Sequence, residues 1–561
     1  MAGGLLNLVA QGNGNCFLMG NPTKTFFKVT YAKHTNFGLQ KFRIDYDGLR
    51  DLRLNESSTF RFKVPRNADL LMDTYLVMSL PDIWSPIYPP TSDTGFKWAP
   101  YEFQWIKDLG TNLISEIEIT CGNFTLAKHS GEYIRNMVER DFTRDKKDLF
   151  YRMSGNTPEL NNPAAVPTRS NAYPSTYFSK SSASVGAEPS IRGRNIYIPI
   201  NTWFTLNSKM ALPLVALQYN EIYISVTLRP ISQLFRIRDV FDPTNQYPYV
   251  APDFNLSQFQ FTRFLETPPS EQILLTDYTQ PLGAWNADIH LLATYCFLSD
   301  DEARVFASQP QTYLVKDVTE YNYQNVVESK RVGLGSNGMV SNWMIYFQRN
   351  DVNLRNEWSN YSNWPYSNIP YDVLFAPPTS DTVFSFIYTD FKSGNALSTG
   401  PMYDPSGNST NIFISGDFNI ANSKDILLTM GIVLDGEYRE NTMERGVYDY
   451  IEKYTRTSGN APDGLYCYNF GLNTGQSDNQ PSGALNMSKF RTIELEVTTI
   501  VPQLDVTASQ FNLACDSVGN FIGVNKQNWR LYEYTYNMKV FEERYNVLYF
   551  QNGNAGMLYS R

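Results

Sequence analysis

The chain has 561 residues, too many for one hydrophobic core, and ordinary domain sizes predict about two to four compact units. Charged residues make up only 18% while aromatics reach 14%, with 37 Tyr and 35 Phe, a bias toward half-buried pleated surfaces. The formal net charge of −9 repels phosphate backbones and anionic membranes, so direct contact with nucleic acid is not expected.

The first residues, MAGGLLNLVAQGNGNC, lack a basic leader, and their apolar patch, residues 5–10, is too short for a secretory signal. Ala2 stands where a myristoyl anchor needs glycine. Strict alternation then predicts strands. In STFRFKV (58–64), Phe60, Phe62 and Val64 share one face, and Ile117, Ile119 and Cys121 do so in SEIEITC. GEYIRNMVERDF (131–142) sets Tyr133, Ile134, Met137 and Val138 at helical spacing. The mixed-sign run RDFTRDKKDLFYR (140–152) reads as a surface segment. A long polar stretch, 154–190, exceeds any ordinary hairpin connection and reads as functional surface or disorder.

EIYISVTLR is another one-side-buried strand, with Ile222, Ile224, Val226 and Leu228 in phase. The Pro-, Asn- and Asp-rich segment 240–258 reads as a linker between two strand-rich halves. NADLLMDTY from Asn67 and NADIHLLATY from Asn286 form a faint echo that suggests duplication. DDEARVFASQ begins a short helix at Asp300 and Asp301. GLGSNG (333–338) has the spelling of a dinucleotide-binding loop, but MVSNWMIYFQR after it is a strand, which predicts a hairpin loop instead. The loop 356–371 carries Trp358, Tyr361, Trp364, Tyr366 and Tyr371, large apolar groups that predict packing against their own chain or a neighbouring copy, with sugar stacking as a third reading. A second long polar loop spans 393–411, and the apolar run 426–434 is far shorter than the ~20 residues of a membrane-crossing helix. QPSGALNMSKF leads into the strand RTIELEV, where Pro481 fixes φ and Gly483 permits a positive one.

Residues suited to catalysis are scarce. His34, His129 and His290 are far apart and read as structural histidines. The acidic pairs Glu116 with Glu118 and Glu494 with Glu496 share strand faces, as a glycosidase pair could, but solvated faces are the simpler reading. Cys16, Cys121, Cys296, Cys467 and Cys515 form no CxxC pair, which predicts free thiols and a reducing compartment. Sequons at Asn55, Asn123, Asn255, Asn360, Asn408 and Asn486 leave sugar attachment open.

Four stretches, GNPTKTFFKVTYAKHTNF, NIYIPINTWFTLNSKMALPLVALQYNEIYISV, QPSGALNMSKF and YNVLYFQNGNAGMLYS, closely resemble the major capsid proteins of nucleocytoplasmic large DNA viruses. The resemblance implies an all-β double jelly-roll: two tandem eight-stranded antiparallel sandwiches with short helices and long surface loops. On that pattern residues 1–24 form an N-terminal arm, 25–239 the first jelly-roll, 240–275 a linker and 276–561 the second. It further implies a homotrimer shaped as a pseudo-hexagonal capsomer of an icosahedral virion shell, assembled in host cytoplasm. Its partners would be neighbouring capsomers, minor capsid and penton proteins, and the inner viral membrane through minor proteins. No catalytic residue, cofactor or metal site is expected. Two alternatives stay open at this stage: a double jelly-roll scaffold for an immature virion membrane, and a tandem β-sandwich that binds carbohydrate.

Overall fold

Each alternating segment has an apolar face to bury, and a second sheet of the same kind is what buries it. The computed structural model describes residues 2–88, 99–166, 173–176, 188–239, 248–256, 259–267, 284–366, 400–403, 409–414, 423–475, 480–505, 508–509, 511–515, 521–526 and 528–559. Residues 167–172 and 177–187 of the long loop 154–190, most of the loop 393–411, and Tyr371 lie outside these residues.

Eight strands make a first pair of sheets: β1 (Gly38–Asp45), β2 (Ser58–Lys63), β3 (Leu70–Leu80), β4 (Ile114–Cys121), β5 (Phe124–His129), β6 (Arg194–Pro199), β7 (Ile222–Leu228) and β8 (His290–Phe297). One sheet runs β1-β8-β3-β6 and the other β2-β7-β4-β5, with antiparallel neighbours throughout. Eight more follow: β9 (Gln311–Tyr323), β10 (Ser329–Gly333), β11 (Met339–Arg349), β12 (Leu427–Leu434), β13 (Glu437–Glu444), β14 (Leu465–Asn469), β15 (Ile493–Thr499) and β16 (Tyr536–Gln551). Their sheets run β9-β16-β11-β14 and β10-β15-β12-β13. Advancing every strand of the first unit by eight therefore reproduces the second, which is one jelly-roll topology used twice. The repetition extends to detail. A short strand, Leu212–Pro213, pairs with β3, and its counterpart Leu485–Asn486 pairs with β11. Gly483, just before it, has φ of 135°, as the turn ahead of that strand requires.

Burial follows the alternation. Along β2, Ser58, Phe60 and Phe62 are buried while Thr59, Arg61 and Lys63 are exposed. Phe60, Phe62, Ile117, Ile119, Ile224 and Val226 meet Leu76, Met78, Ile196, Ile198 and Leu291 across the first core. In the second, Met430, Ile432, Leu495 and Val497 meet Trp343, Ile345, Phe347, Met538 and Val540.

Four sequence expectations need correction. The echo between Asn67 and Asn286 does not mark equivalent strands: the segments lead into β3 and β8, which are hydrogen-bonded neighbours in one sheet. β8 also lies beyond the expected boundary at 276 yet pairs with β1 and β3, because a jelly-roll brings its last strand back between earlier ones. The stretch 240–275 is more than a linker, since Phe259, Phe261 and Phe264 are buried in the first core and Tyr249–Val250 pairs with Phe235–Arg238. The GLGSNG segment passes from β10 to β11, which lie in different sheets, so it is a crossover rather than a hairpin.

The helices α1 (Gly131–Asp141) and α2 (Arg144–Ser154) fall between β5 and β6, and α3 (Asp300–Ser308) follows β8. Ser130 caps α1, its hydroxyl accepting the Tyr133 amide. Gly131 opens that helix where an added Cβ would sit 2.0 Å from the Thr111 carbonyl oxygen. Gly131→Ala is therefore expected to cost about 1–3 kcal/mol. Urea unfolding checks this, and an unchanged midpoint would contradict the close approach.

Candidate functional site

The fold disperses the residues that resembled catalytic groups. His129 is buried in β5 with Nε2 3.2 Å from the Ile200 carbonyl, and His290 in β8 has Nδ1 2.7 Å from the Asp288 carbonyl. His34 is exposed. Each acidic pair is occupied: Lys128 lies 3.0 Å from Glu116, Thr125 donates to Glu118, and Arg331 lies 2.6 Å from Glu496. Among the described residues no group of His, Cys, Asp and Glu converges as a metal site would require. Cys121, Cys296 and Cys467 are buried, and burial pushes the Cys467 thiol up to about 11. The sequon residue Asn360 is wholly buried, so a sugar could not be attached there on the folded chain.

Polar side chains gather instead where the two sandwiches meet. Along β16, Met538 and Val540 face the second core, whereas Phe541 belongs to the first. The outer face of sheet β9-β16-β11-β14 is thus covered by α1 of the first sandwich. Glu543 on β16 is the hub. It accepts from the Tyr133 hydroxyl (2.7 Å), Arg140 (2.8 Å) and the Asn342 amide (2.9 Å), with Lys316 at 3.7 Å. Arg140 also pairs with Asp141 at 2.7 Å. In the first turn of α1, Glu132 accepts from Lys539 (2.7 Å), Tyr346 (2.8 Å) and Arg229 (2.8 Å).

The run 140–152 is accordingly no simple surface segment. Arg140 is fully buried, and buried Lys147 donates to Glu139, while Arg144, Asp145, Lys146 and Asp148 remain exposed. Nothing in the local sequence distinguished Arg140 from its exposed neighbours. The signal that could have found its partner is the run of three consecutive charges, Glu542, Glu543 and Arg544, in a strand where Met538, Val540, Leu548 and Phe550 mark a buried face.

The aromatic loop completes the seam, and its partner is its own chain. Tyr361 stacks on Tyr346 with ring centres 4.0 Å apart, and its hydroxyl donates to Asn136 of α1. Trp358 donates to the Gln233 carbonyl at 3.0 Å and lies under the Arg229 guanidinium. Ser359 donates to Asp108, which pairs with Arg135 at 3.0 Å. Tyr366 stacks on Trp529. Removing any one buried charge here strands its partner, so the network locks the relative position of the sandwiches.

Burial alone would raise both glutamates, but Lys539 and Arg229 hold Glu132 at about 2, and Arg140 and Lys316 hold Glu543 at about 2. Carboxyls depressed in the folded chain stabilise it fully above about pH 4.5, and that contribution disappears as the pH falls toward 2. Its size is on the order of 3 kcal/mol for each group. Glu542 acts in the opposite sense, because burial pushes its carboxyl up. A melting curve followed from pH 7 to 2.5 should fall steeply below 4.5, and Glu543→Gln should flatten it; an equally steep fall in the variant would contradict this assignment.

A second feature points outward. Every residue from Ala2 to Phe37 is exposed except half-buried Asn15, so the exposed segment runs well past residue 24 to the start of β1. Phe17 (94%), Phe26 (103%) and Phe27 (99%) are almost bare. The same segment holds Lys24, Lys28 and Lys33 and no acidic residue, on a chain whose net charge is −9. A positive, apolar segment standing clear of an acidic body is equipped to dock on another surface.

Comparison with known proteins agrees with this architecture. Residues 25–278 match the family described as "Major capsid protein N-terminus", and residues 302–556 match "Large eukaryotic DNA virus major capsid protein". The major capsid protein of Phaeocystis pouchetii virus is 24% identical, with both chains covered in full. The Faustovirus major capsid protein superimposes with a TM-score of 0.60 at 13% identity, covering 96% of this chain and all of the other. The VP54 protein of PBCV-1 gives a TM-score of 0.59 at 18% identity, again over 96% of this chain and all of the other.

Proposed function

The chain belongs to the major capsid protein family of large eukaryotic DNA viruses, and from that premise we propose how it builds a virion shell. Three copies associate so that six sandwiches give a nearly hexagonal outline, and these capsomers tile an icosahedral surface. The observation that carries this reading is the repeated topology: two units with strand orders offset by eight, fixed by one buried seam. A repeated unit lets three-fold association approximate six-fold shape, and a rigid seam keeps that shape constant from copy to copy. The activity is geometric, with no catalytic step.

The described residues support a division into an arm up to Phe37, a first sandwich closed by β8 and a second from β9 onward. The arm faces the inner side of the shell, where it meets neighbouring capsomers or minor capsid and penton proteins. Contact with an inner membrane runs through those minor proteins, and the negative net charge keeps the shell apart from the genome. Assembly takes place in host cytoplasm, which suits the buried free thiols. Quantitative mass spectrometry of purified mature virions tests the reading: this chain should be the most abundant protein. Its presence in immature particles and loss from mature ones would make it a scaffold instead.

A further inference from the structure

The seam inside one chain joins two parts that each have a counterpart elsewhere in the same chain. Its first part is α1, the helix between β5 and β6, and its second is the outer face of sheet β9-β16-β11-β14. Advancing α1 by eight strands leads to the connection between β13 and β14, which holds a helical segment, Val447–Ile451 continuing as Glu452–Arg456. Moving the sheet back by eight leads to β1-β8-β3-β6. Among the described residues the helical segment makes its main contacts with β13 and β14 of its own unit.

Their surfaces reflect that. In α1 every residue from Tyr133 to Arg140 is buried, on one side by its own sandwich and on the other by the second. The later helix buries Tyr448, Asp449 and Lys453 against its own unit but leaves Tyr450 (53%), Ile451 (56%) and Tyr454 (91%) exposed. The first sheet carries, beside β3 and β6, an open cleft of about 350 Å³ formed with α2. Tyr75, Leu149, Phe150, Met153, Pro199 and Leu206 line it, and Leu149 is 60% exposed. An exposed Tyr and Ile helix face and a cleft that combines these apolar side chains with Asp73, Lys146 and Asn201 stand where the fold's own repetition puts a helix on a sheet.

We propose that the helix 447–456 of one copy seats on the outer face of β1-β8-β3-β6 of the next, against the α2 cleft, repeating between chains the seam that joins the sandwiches within one. The occupant is a second copy of this chain. Such a contact uses two different patches and is head-to-tail, so it propagates and closes into a ring when the rotation per copy permits. In a three-copy capsomer the six lateral contacts then alternate between covalently linked seams and this one. The proposal rests on the capsomer reading above and adds the residues that make it.

The test uses the full chain with Tyr454→Glu, Ile451→Glu and Leu149→Glu as separate variants. Sedimentation equilibrium reads association, and melting of the dissociated chain reads folding. Each variant should raise the concentration at which copies separate by about thirtyfold or more, because a charge is placed in a contact that excludes water. Melting should stay unchanged, since all three side chains are exposed in one copy. In a Cys16→Ser background, Tyr454→Cys combined with Leu149→Cys should form disulfides between copies under oxidation. A wild type that assembles in threes while all three variants assemble equally well, without cross-linking, overturns the surface assignment and leaves the capsomer reading standing. A wild type that is a single copy at every concentration overturns both.

Discussion

Glu543→Ala is expected to destabilise the folded chain by about 3–5 kcal/mol, the cost of leaving buried charges without their counter-ion. The carboxylate is fully buried and takes hydrogen bonds from Tyr133 and Arg140 of α1 and from Asn342 of β11, with Lys316 nearby. Truncation leaves Arg140 with Asp141 as its remaining carboxylate and the Asn342 side-chain oxygen as a neutral acceptor, and leaves Lys316 without its nearest carboxylate. A chain of this size loses that stability first at the seam, because each sandwich keeps its own core. Limited proteolysis should therefore show faster cleavage between the units, and the first unfolding transition should move to lower denaturant. Glu543→Gln keeps a hydrogen-bonding side chain of similar size and should cost less. Equal stability of the alanine variant and wild type would show that the seam is held by packing alone.

Deleting residues 2–15 is expected to abolish closed shells while leaving individual capsomers intact. The deletion removes Leu5, Leu6, Leu8 and Val9, all exposed and packed on nothing described in their own chain. Their loss takes no buried contact from either sandwich, so the melting temperature should stay within about 1 °C of wild type, as surface changes of under ~0.5 kcal/mol allow. Shell contacts are individually weak and numerous, so losing one contact type on every copy acts on the whole assembly. Electron microscopy of assembly products checks the result. Normal closed particles from the truncated chain would remove the arm from the assembly process.

Strands with one solvated face were legible because period-two alternation is a direct record of burial. β2, β4, β7 and β15 lie at their expected residues for that reason. The two-sandwich class was legible in the same way. The return of β8 into the first sheet was not, since a strand that pairs with partners more than 200 residues earlier carries no local mark of that partner. The seam was hidden for a related reason. Arg140 and Lys147 look like solvent residues in a mixed-sign run, and only the second sandwich turns part of that run into interior. The loop around Trp358 was conspicuous by composition, yet composition could not choose between its own chain and another copy. The Gln233 carbonyl, the Tyr346 ring and the α1 side chains make that choice.

Cryo-electron microscopy of the purified full-length chain addresses the shape most directly. Three-fold particles with six lobes, each pair of lobes joined through the Glu543 seam, are the predicted result. Single two-lobed molecules at micromolar concentration, or particles whose paired lobes pivot freely about the seam, would contradict it.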